Sequence, residues 1–168
     1  MIEPTVKAML EEYLYDWQGI ESLVRGMVLN HLGAFDGYQM FLLDFDEKPR
    51  EGLAKFLDLN IYDDFKKSYP RFPHRIQYLR KHGLIGDNLY KLLEDLNDRR
   101  NKIHRYKTGF PENLRVAFNY AYSWLHYLQM FSKDSGFNED YKARMRESIE
   151  KSAEHLLDKL RTEESTAY

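Results

Sequence analysis

Apolar side chains recur every three or four residues along most of the chain, which is the spacing of one face of an α-helix. The longest run begins after Pro4 and ends before Gly33, so the pattern predicts a first helix over residues 4–32. Further runs predict a second helix over residues 73–82, which Gly83 ends, and a fourth over residues 111–132. No stretch alternates apolar and polar residues between hairpin turns, as strands would. The pattern therefore predicts an all-α protein, an up-and-down bundle of four to five helices.

A third helix is predicted between these runs, with a leucine-rich inner face and with Asp87 or Asn88 as its cap. This helix leads into the most polar stretch of the chain, DRRNKIHRYK, which spans Asp98 to Lys107. Basic residues at the end of a helix complement the negative end of its dipole, so the stretch has a purely structural interpretation as well as a functional one.

Two further segments have helical patterns, a weak one over residues 34–67 and a clearer one near the C-terminus. Residues 34–67 are broken by Pro49 and are interpreted as a helical or irregular insertion, whereas residues 137–161 form an additional C-terminal helix. At 168 residues the chain has the size of one domain, so residues 1–168 are assigned to a single helical domain.

Two of the predicted helices carry signs of close packing. Gly19 and Gly26 weaken the first helix and are expected to let a neighbouring helix approach it. The fourth helix carries an aromatic stripe, which the helical spacing assigns to the core or to a subunit contact rather than to base stacking. The stripe contains Phe118, Tyr120, Tyr122, Trp124 and Tyr127.

Composition narrows the function classes. The chain has no cysteine, so disulfides, thiol nucleophiles and cysteine metal sites are excluded, while His, Asp and Glu remain as possible ligands. No metal or cofactor is expected for the chemistry described below. The N-terminal stretch lacks the features of a signal peptide, and no apolar run approaches membrane-spanning length, so we expect a cytoplasmic protein with no membrane partner. The formal net charge is -2, so attraction to nucleic acid must come from local charge.

Two acid-free basic stretches supply such local charge. One lies between Phe65 and Gly86 and the other between Arg99 and Lys107. On consecutive helices they predict one positive face that attracts phosphates, the alternative being two solvated helix surfaces. The expected RNA contacts are Arg71, Arg75, Arg80, Lys81, Lys102, Arg105 and Lys107.

A histidine beside an arginine is what RNA cleavage without a metal requires. An imidazole takes the ribose 2'-hydroxyl proton, and a guanidinium neutralises the charge that develops on the phosphate. At about 100° per residue, Arg100 would lie about 40° around a regular helix from His104, and Arg99 about 140° away. If the helix ends at Asn101 instead, Arg99 becomes equally suitable.

The segment Arg99–Tyr106 resembles the R-x4-6-H motif of the HEPN superfamily and, in the form R-x4-H-x-Y, that of HepT-type toxins. The resemblance implies a helical protein that forms a homodimer, lines one cleft with two motifs, and cleaves RNA without metal to leave a cyclic phosphate. It implies that Arg99 and His104 are catalytic.

The resemblance also implies supporting residues and partners. Asn101 and Tyr106 would support the site, and Tyr106 matches the tyrosine at which an antitoxin nucleotidyltransferase attaches adenylate. The family usually places a polar residue directly after the motif arginine, whereas here the Arg-Asn pair is Arg100-Asn101, so Arg99 and Arg100 both remain candidates. The resemblance thus implies a toxin of a toxin-antitoxin or defence pair, and the alternative is a HEPN-like module that binds RNA or protein without cleaving.

Overall fold

The computed structural model describes residues 4–34, 48, 52, 54–103, 112–133 and 136–167. Within these ranges the chain forms six α-helices and one 3-10 turn, and no strand. The all-α prediction is therefore confirmed for the described residues, with one helix more than expected. The helices are α1 (Pro4–His31), α2 (Leu59–Ser68), α3 (Phe72–Lys81), α4 (Asp87–Asn101), α5 (Glu112–Lys133) and α6 (Glu139–Ala167).

Two glycines end helices as the sequence predicts. Gly33 and Gly83 both adopt a left-handed backbone, with φ of 80° and 70°. After Gly33, the Ala34 amide donates to the Leu29 carbonyl at 2.9 Å, and after Gly83 the Leu84 amide donates to the Leu79 carbonyl at the same distance. These are Schellman motifs, in which a residue without a Cβ lets the chain turn back over the last carbonyls.

The insertion predicted over residues 34–67 contains a helix of its own in its described part. The 3-10 turn Ala54–Phe56 comes first, and α2 then starts after Asp58. The Asp58 carboxylate accepts hydrogen bonds from the Asn60 and Ile61 amides at 3.0 and 3.1 Å, so it is the helix cap.

The cap predicted for α4 is wrong. The capping position is Gly86, and Asp87 and Asn88 lie inside the first turn. The cap instead comes from α6, where the Glu150 carboxylate accepts from the Asn88 amide at 2.8 Å and from the Leu89 amide at 3.2 Å. A carboxylate that reaches in from another helix satisfies the same amides as a local cap, and no local sequence signal announces it.

The directions of the helices follow from their contacts. Trp17 packs on Phe72 at the start of α3, and His31 packs on Tyr78 and His82 at its end, so α1 and α3 run the same way. Leu128, in the C-terminal half of α5, lines the same cavity as Gly86 at the start of α4 and Ile149 of α6. The four helices α3 to α6 therefore alternate in direction, as an up-and-down bundle requires.

The core lies where α1, α3 and α5 meet and continues between α4, α5 and α6. The Trp17 ring is 4.8 Å from that of Phe72 and 5.7 Å from that of Phe118, measured between centroids. Leu92 and Leu96 of α4 are fully buried, as is Leu125 of α5. This packing fixes α4 along its length and therefore fixes the position of its C-terminal end.

Candidate functional site

The end of α4 carries the first half of the polar motif. Leucines at positions 89, 92, 93 and 96 are buried on one face of the helix, so the helix presents its last turn in a fixed orientation. Helical bonding stops at Asn101, and the Lys102 amide closes the end by donating to the carbonyls of Asp98 and Arg99 at 3.1 Å each.

Arg99 is turned into the protein. Only 4% of its surface is exposed, and its Nε donates to Asp95 Oδ2 at 2.7 Å. The two residues are four apart on α4 and form an ion pair in which the carboxylate is itself mostly covered. The guanidinium is therefore held rigidly by a charge-assisted hydrogen bond. Sequence reasoning missed Asp95, although its i, i+4 spacing from Arg99 was readable.

Arg100 and Asn101 are on the outside of the same turn. Both are exposed, and Arg100 Nη1 donates to Asn101 Oδ1 at 3.2 Å. Lys102 is half-buried, and its Nζ lies 3.0 Å from Asp98 Oδ2. Of the motif cations in the described part of the chain, Arg100 thus presents its guanidinium to solvent most directly.

The second half of the motif lies outside the described residues. This applies to His104, Tyr106, Arg105 and Lys107. Because α4 ends at Asn101, the regular helical step that favours Arg100 as the neighbour of position 104 does not apply. By the reasoning from the sequence, Arg99 and Arg100 are then equally suitable by spacing, and they differ in burial.

Arg75, placed among the RNA contacts by its sequence, is buried and structural. It is 5% exposed, and its Nε donates to the Tyr69 carbonyl at 2.9 Å. Its guanidinium carbon lies 4.6 Å from the centroid of the Phe65 ring. These contacts tie α3 to the end of α2 and leave little of the cation for a phosphate.

Arg80 and Lys81 lie at the opposite end of α4 from the motif. Arg80 Nε is 2.8 Å from Asp87 Oδ1, and its guanidinium stacks on Tyr90, so it is beside the first turn of α4. Arg99 follows Asp87 by twelve residues, or about 18 Å along a helix. Arg71, which is exposed, precedes α3 and lies at the motif end, because α3 and α4 run in opposite directions.

The single positive face predicted from the two basic stretches is therefore not continuous. Its clusters occupy the two ends of the α3–α4 pair, and α4 adds Asp87, Asp95 and Asp98, each of which binds one of the predicted cations. The acid-free stretches did not predict this, because the acids lie just outside them in sequence, Asp87 after the first and Asp95 and Asp98 before the second, but are beside the cations in the fold.

A second group of titratable rings lies where α1 and α3 end. The Tyr78 hydroxyl and His31 Nδ1 share a hydrogen bond of 2.5 Å, and the His82 ring is 4.9 Å from that of His31. Burial, and to a smaller extent the nearby Tyr69, raise the pKa of Tyr78 above its ordinary value. This group is far from the motif end of α4 and links the two helices.

Among the described residues there is neither a candidate metal site nor a helix that could span a membrane. No group of three or more histidine, aspartate or glutamate side chains is arranged to hold a metal ion. None of the described helices combines the length and apolar character needed to cross a bilayer.

Comparison with known proteins matches the chain to no family model, no curated protein and no solved structure.

Proposed function

We propose that the chain is a HEPN-like, metal-independent endoribonuclease whose active site is built at the C-terminal end of α4. The observation that carries the proposal is the pairing, on one rigid turn, of a buried Arg99 held by Asp95 with an exposed Arg100 beside Asn101. The motif histidine, His104, follows three residues after that turn. A fixed turn that presents a cation, followed three residues later in the sequence by a histidine, has the groups that phosphate chemistry needs.

The proposed reaction assigns a role to each group. The imidazole of His104 removes the proton from a ribose 2'-hydroxyl, and the 2'-oxygen attacks the adjacent phosphorus. The bond to the 5'-oxygen breaks, that oxygen takes up a proton, and a cyclic phosphate remains. Arg100 contacts the phosphate oxygens and neutralises the charge that develops, since its guanidinium is open to solvent. Arg99 is then a positioning residue, which fixes the turn from inside.

The proposal includes the partners that the motif resemblance implies. They are RNA, a second copy of the chain, and an antitoxin nucleotidyltransferase that would modify Tyr106. Such a pair would act as a toxin and its antidote or in defence. Among the predicted RNA contacts, Arg71 is exposed at the motif end and supports the proposal, whereas Lys81 is exposed at the opposite end of α4 and Arg75 is buried.

The test is cleavage of a mixed RNA in excess EDTA. We expect the wild type to leave cyclic phosphate ends, and we expect His104→Ala and Arg100→Ala to lose at least a hundredfold in rate. Arg146→Ala is the matched control. Arg146 is exposed and lies beside the opposite end of α4, so this variant should cleave RNA at the wild-type rate. Undiminished cleavage by His104→Ala, or none by the wild type, would overturn the enzyme proposal.

Arg99→Ala separates the two arginine assignments. If Arg99 positions the turn, the loss of rate accompanies a loss of stability, and Arg99→Lys restores part of both. If Arg99→Lys folds as well as the wild type but remains inactive while Arg100→Ala cleaves normally, the phosphate contact belongs to Arg99.

A second candidate function is binding without cleavage, as a helical module for RNA or protein. The observation that favours it is the burial of the motif arginine Arg99 in its ion pair with Asp95, which leaves little of that guanidinium for a reacting phosphate. A module of this kind would bind RNA with an affinity that falls as salt rises, and it would leave the RNA intact.

A further inference from the structure

Three exposed cations at the motif end of the bundle form no ion pair with any described residue. They are Lys67 near the end of α2, Arg71 directly before α3, and Arg100 in the last turn of α4. By contrast, the neighbouring Lys66 lies 3.6 Å from a carboxylate oxygen of Asp63. A cation whose charge is not offset by a carboxylate attracts a polyanion most strongly, so these three side chains are suited to bind phosphates.

Arg71 and Arg100 lie at nearly the same level of the bundle. Arg80 of α3 stacks on Tyr90 of α4, with 4.6 Å between the guanidinium carbon and the ring centroid, and the two helices run in opposite directions. Arg71 is nine residues before Arg80, and position 99 is nine residues after Tyr90. Equal steps of about 1.5 Å per residue therefore bring the start of α3 level with the end of α4. Because neighbouring helix axes are about 8–10 Å apart, the two arginines are close enough to contact one polyanion.

The connector between α2 and α3 adds Lys67 to this pair. Lys67 is four residues before Arg71, so their Cα atoms are at most about 14 Å apart. The buried Arg75 holds the connector in place, since its Nε donates to the Tyr69 carbonyl at 2.9 Å and its guanidinium lies over the Phe65 ring. The end of α2 is thus fixed on the first turn of α3, and the two exposed cations are presented by a rigid support.

We infer that Lys67 and Arg71 form a phosphate-binding surface, over which the RNA strand crosses the α2–α3 connector to reach the end of α4. Arg100 would contact the phosphate that reacts, and Arg71 and then Lys67 would contact phosphates further along the same strand. Such contacts position the strand and do not depend on its bases. The inference rests on the proposed function for the identity of the ligand, and it extends that function by adding Lys67 and the path of the strand.

The opposite end of the α3–α4 pair is less suited to continue this surface. Arg80 is paired there with Asp87 at 2.8 Å, and the Glu150 carboxylate caps the start of α4 at the same end. Lys81 is exposed at that end, ten residues after Arg71, or about 15 Å along α3. Lys81 therefore carries the same charge on the same helix but away from the inferred path, which makes it the matched control.

The first test is binding of a mixed-sequence RNA oligonucleotide that carries a 2'-O-methyl group on every sugar, so that it cannot be cleaved. Its affinity, measured by fluorescence anisotropy, should fall as salt rises, and each phosphate contact adds about 0.7 to the slope of log K against log salt concentration. We expect Lys67→Gln and Arg71→Gln each to lower this slope by about 0.7, and Lys81→Gln to leave it unchanged. A wild-type slope in Lys67→Gln and Arg71→Gln, or an equal loss in Lys81→Gln, overturns the inference.

A second measurement locates the strand without removing a charge. The chain has no cysteine, so Ser68→Cys places a single thiol on the exposed connector, and a photoreactive azidophenacyl label on it should cross-link to the same oligonucleotide. Ser148→Cys is the matched control, because Ser148 is exposed on α6 two residues before Glu150, at the opposite end of α4. We expect a cross-link from position 68 and little from position 148. Equal yields from the two positions overturn the inferred path.

Cleavage of ordinary RNA in excess EDTA separates this inference from the proposed function. If the wild type binds the methylated strand with the expected slopes but leaves ordinary RNA intact, the endoribonuclease proposal fails and the binding surface stands. If the wild type cleaves ordinary RNA while Lys67→Gln and Arg71→Gln keep the wild-type slope, the binding surface fails and the endoribonuclease proposal stands.

Discussion

Tyr122 of α5 lies against Gly19 of α1, where an added Cβ would be 3.1 Å from the tyrosine ring. Seven residues further along both helices, a Cβ on Gly26 would be 3.3 Å from Gln129 Nε2. Seven residues before, Arg115 Nη2 donates to Glu12 Oε1 at 2.8 Å. The contacts advance by one heptad at a time in each helix, so α1 and α5 run in the same direction and remain in register over four turns.

Enlarging Gly26 should destabilise the protein more than enlarging Gly19. Gly26 faces Gln129, which is 1% exposed and has no room to move, whereas Gly19 faces Tyr122, which is 43% exposed and can rotate outward. We expect Gly26→Leu to cost about 1–3 kcal/mol in the free energy of unfolding, and Gly19→Leu to cost clearly less. Urea unfolding of the two variants measures this difference. Equal costs would contradict the role assigned to the exposed ring.

Gly86 and Glu150 should behave as one unit. A Cβ on Gly86 would overlap Glu150 Oε1, so Gly86→Ala must displace the carboxylate that caps α4. Either Gly86→Ala or Glu150→Ala should cost about 1–2 kcal/mol, because both leave the amides of Asn88 and Leu89 without that acceptor.

The double variant decides whether the two losses share a cause. With Glu150 already replaced by alanine, the added Cβ at position 86 has nothing to displace, so the second change should cost little. A double-mutant cycle by chemical unfolding should therefore show strong coupling. Additive costs would mean that Gly86 matters for another reason.

These relationships mark what the sequence could predict. The spacing of apolar residues and the glycines at positions 33 and 83 predicted three helices, residues 4–32, 73–82 and 111–132, to within one residue at each end, because those signals are local. The Glu150 cap and the burial of Arg75 depend on residues far away in sequence or on packing, and no local pattern carries them. The prediction that Gly19 and Gly26 admit a neighbouring helix is confirmed, because side chains of α5 lie against both glycines. This was predictable because glycine weakens a helix and is favoured there only where a neighbour comes close.

The candidate site was predictable to a similar degree. The sequence located the polar motif at the end of α4, and the structure describes its first half there. Charge counting along the chain did not predict that Asp95 would hold Arg99 inside the bundle. That outcome depends on which side of the helix faces the core, and the leucines at positions 92 and 96 determine it.

Arg99 and Arg100 should differ sharply in their effect on stability. Removing Arg99 takes away the cation that pairs with the mostly covered Asp95 carboxylate, so we expect Arg99→Ala to cost about 2–4 kcal/mol. Arg100 is exposed and should be replaceable by alanine within about 0.5 kcal/mol. Thermal unfolding of both variants measures the difference. A neutral Arg99→Ala would show that the Asp95 pair contributes nothing to the fold.

Asp16 should make the protein less stable as the pH rises. Burial and the nearby Glu12 raise the pKa of Asp16 above its ordinary value of 3.8, and Arg115 offsets part of the rise. The folded state therefore binds this proton more tightly than the unfolded state, and the stability that comes with it is lost as the pH rises from 3.8 through the raised pKa.

Asp16→Asn removes this dependence. We expect the variant to unfold at a higher temperature than the wild type at pH 7, and the difference to vanish as the pH falls through the raised pKa, where the wild-type carboxyl is also neutral. Asp64→Asn, on the exposed side of α2, is the control for removing one carboxylate charge from the surface. Melting curves of the three proteins at several pH values measure the effect. If Asp16→Asn were less stable at pH 7, attraction to Arg115 would outweigh burial, and the sign of the pKa shift would be reversed.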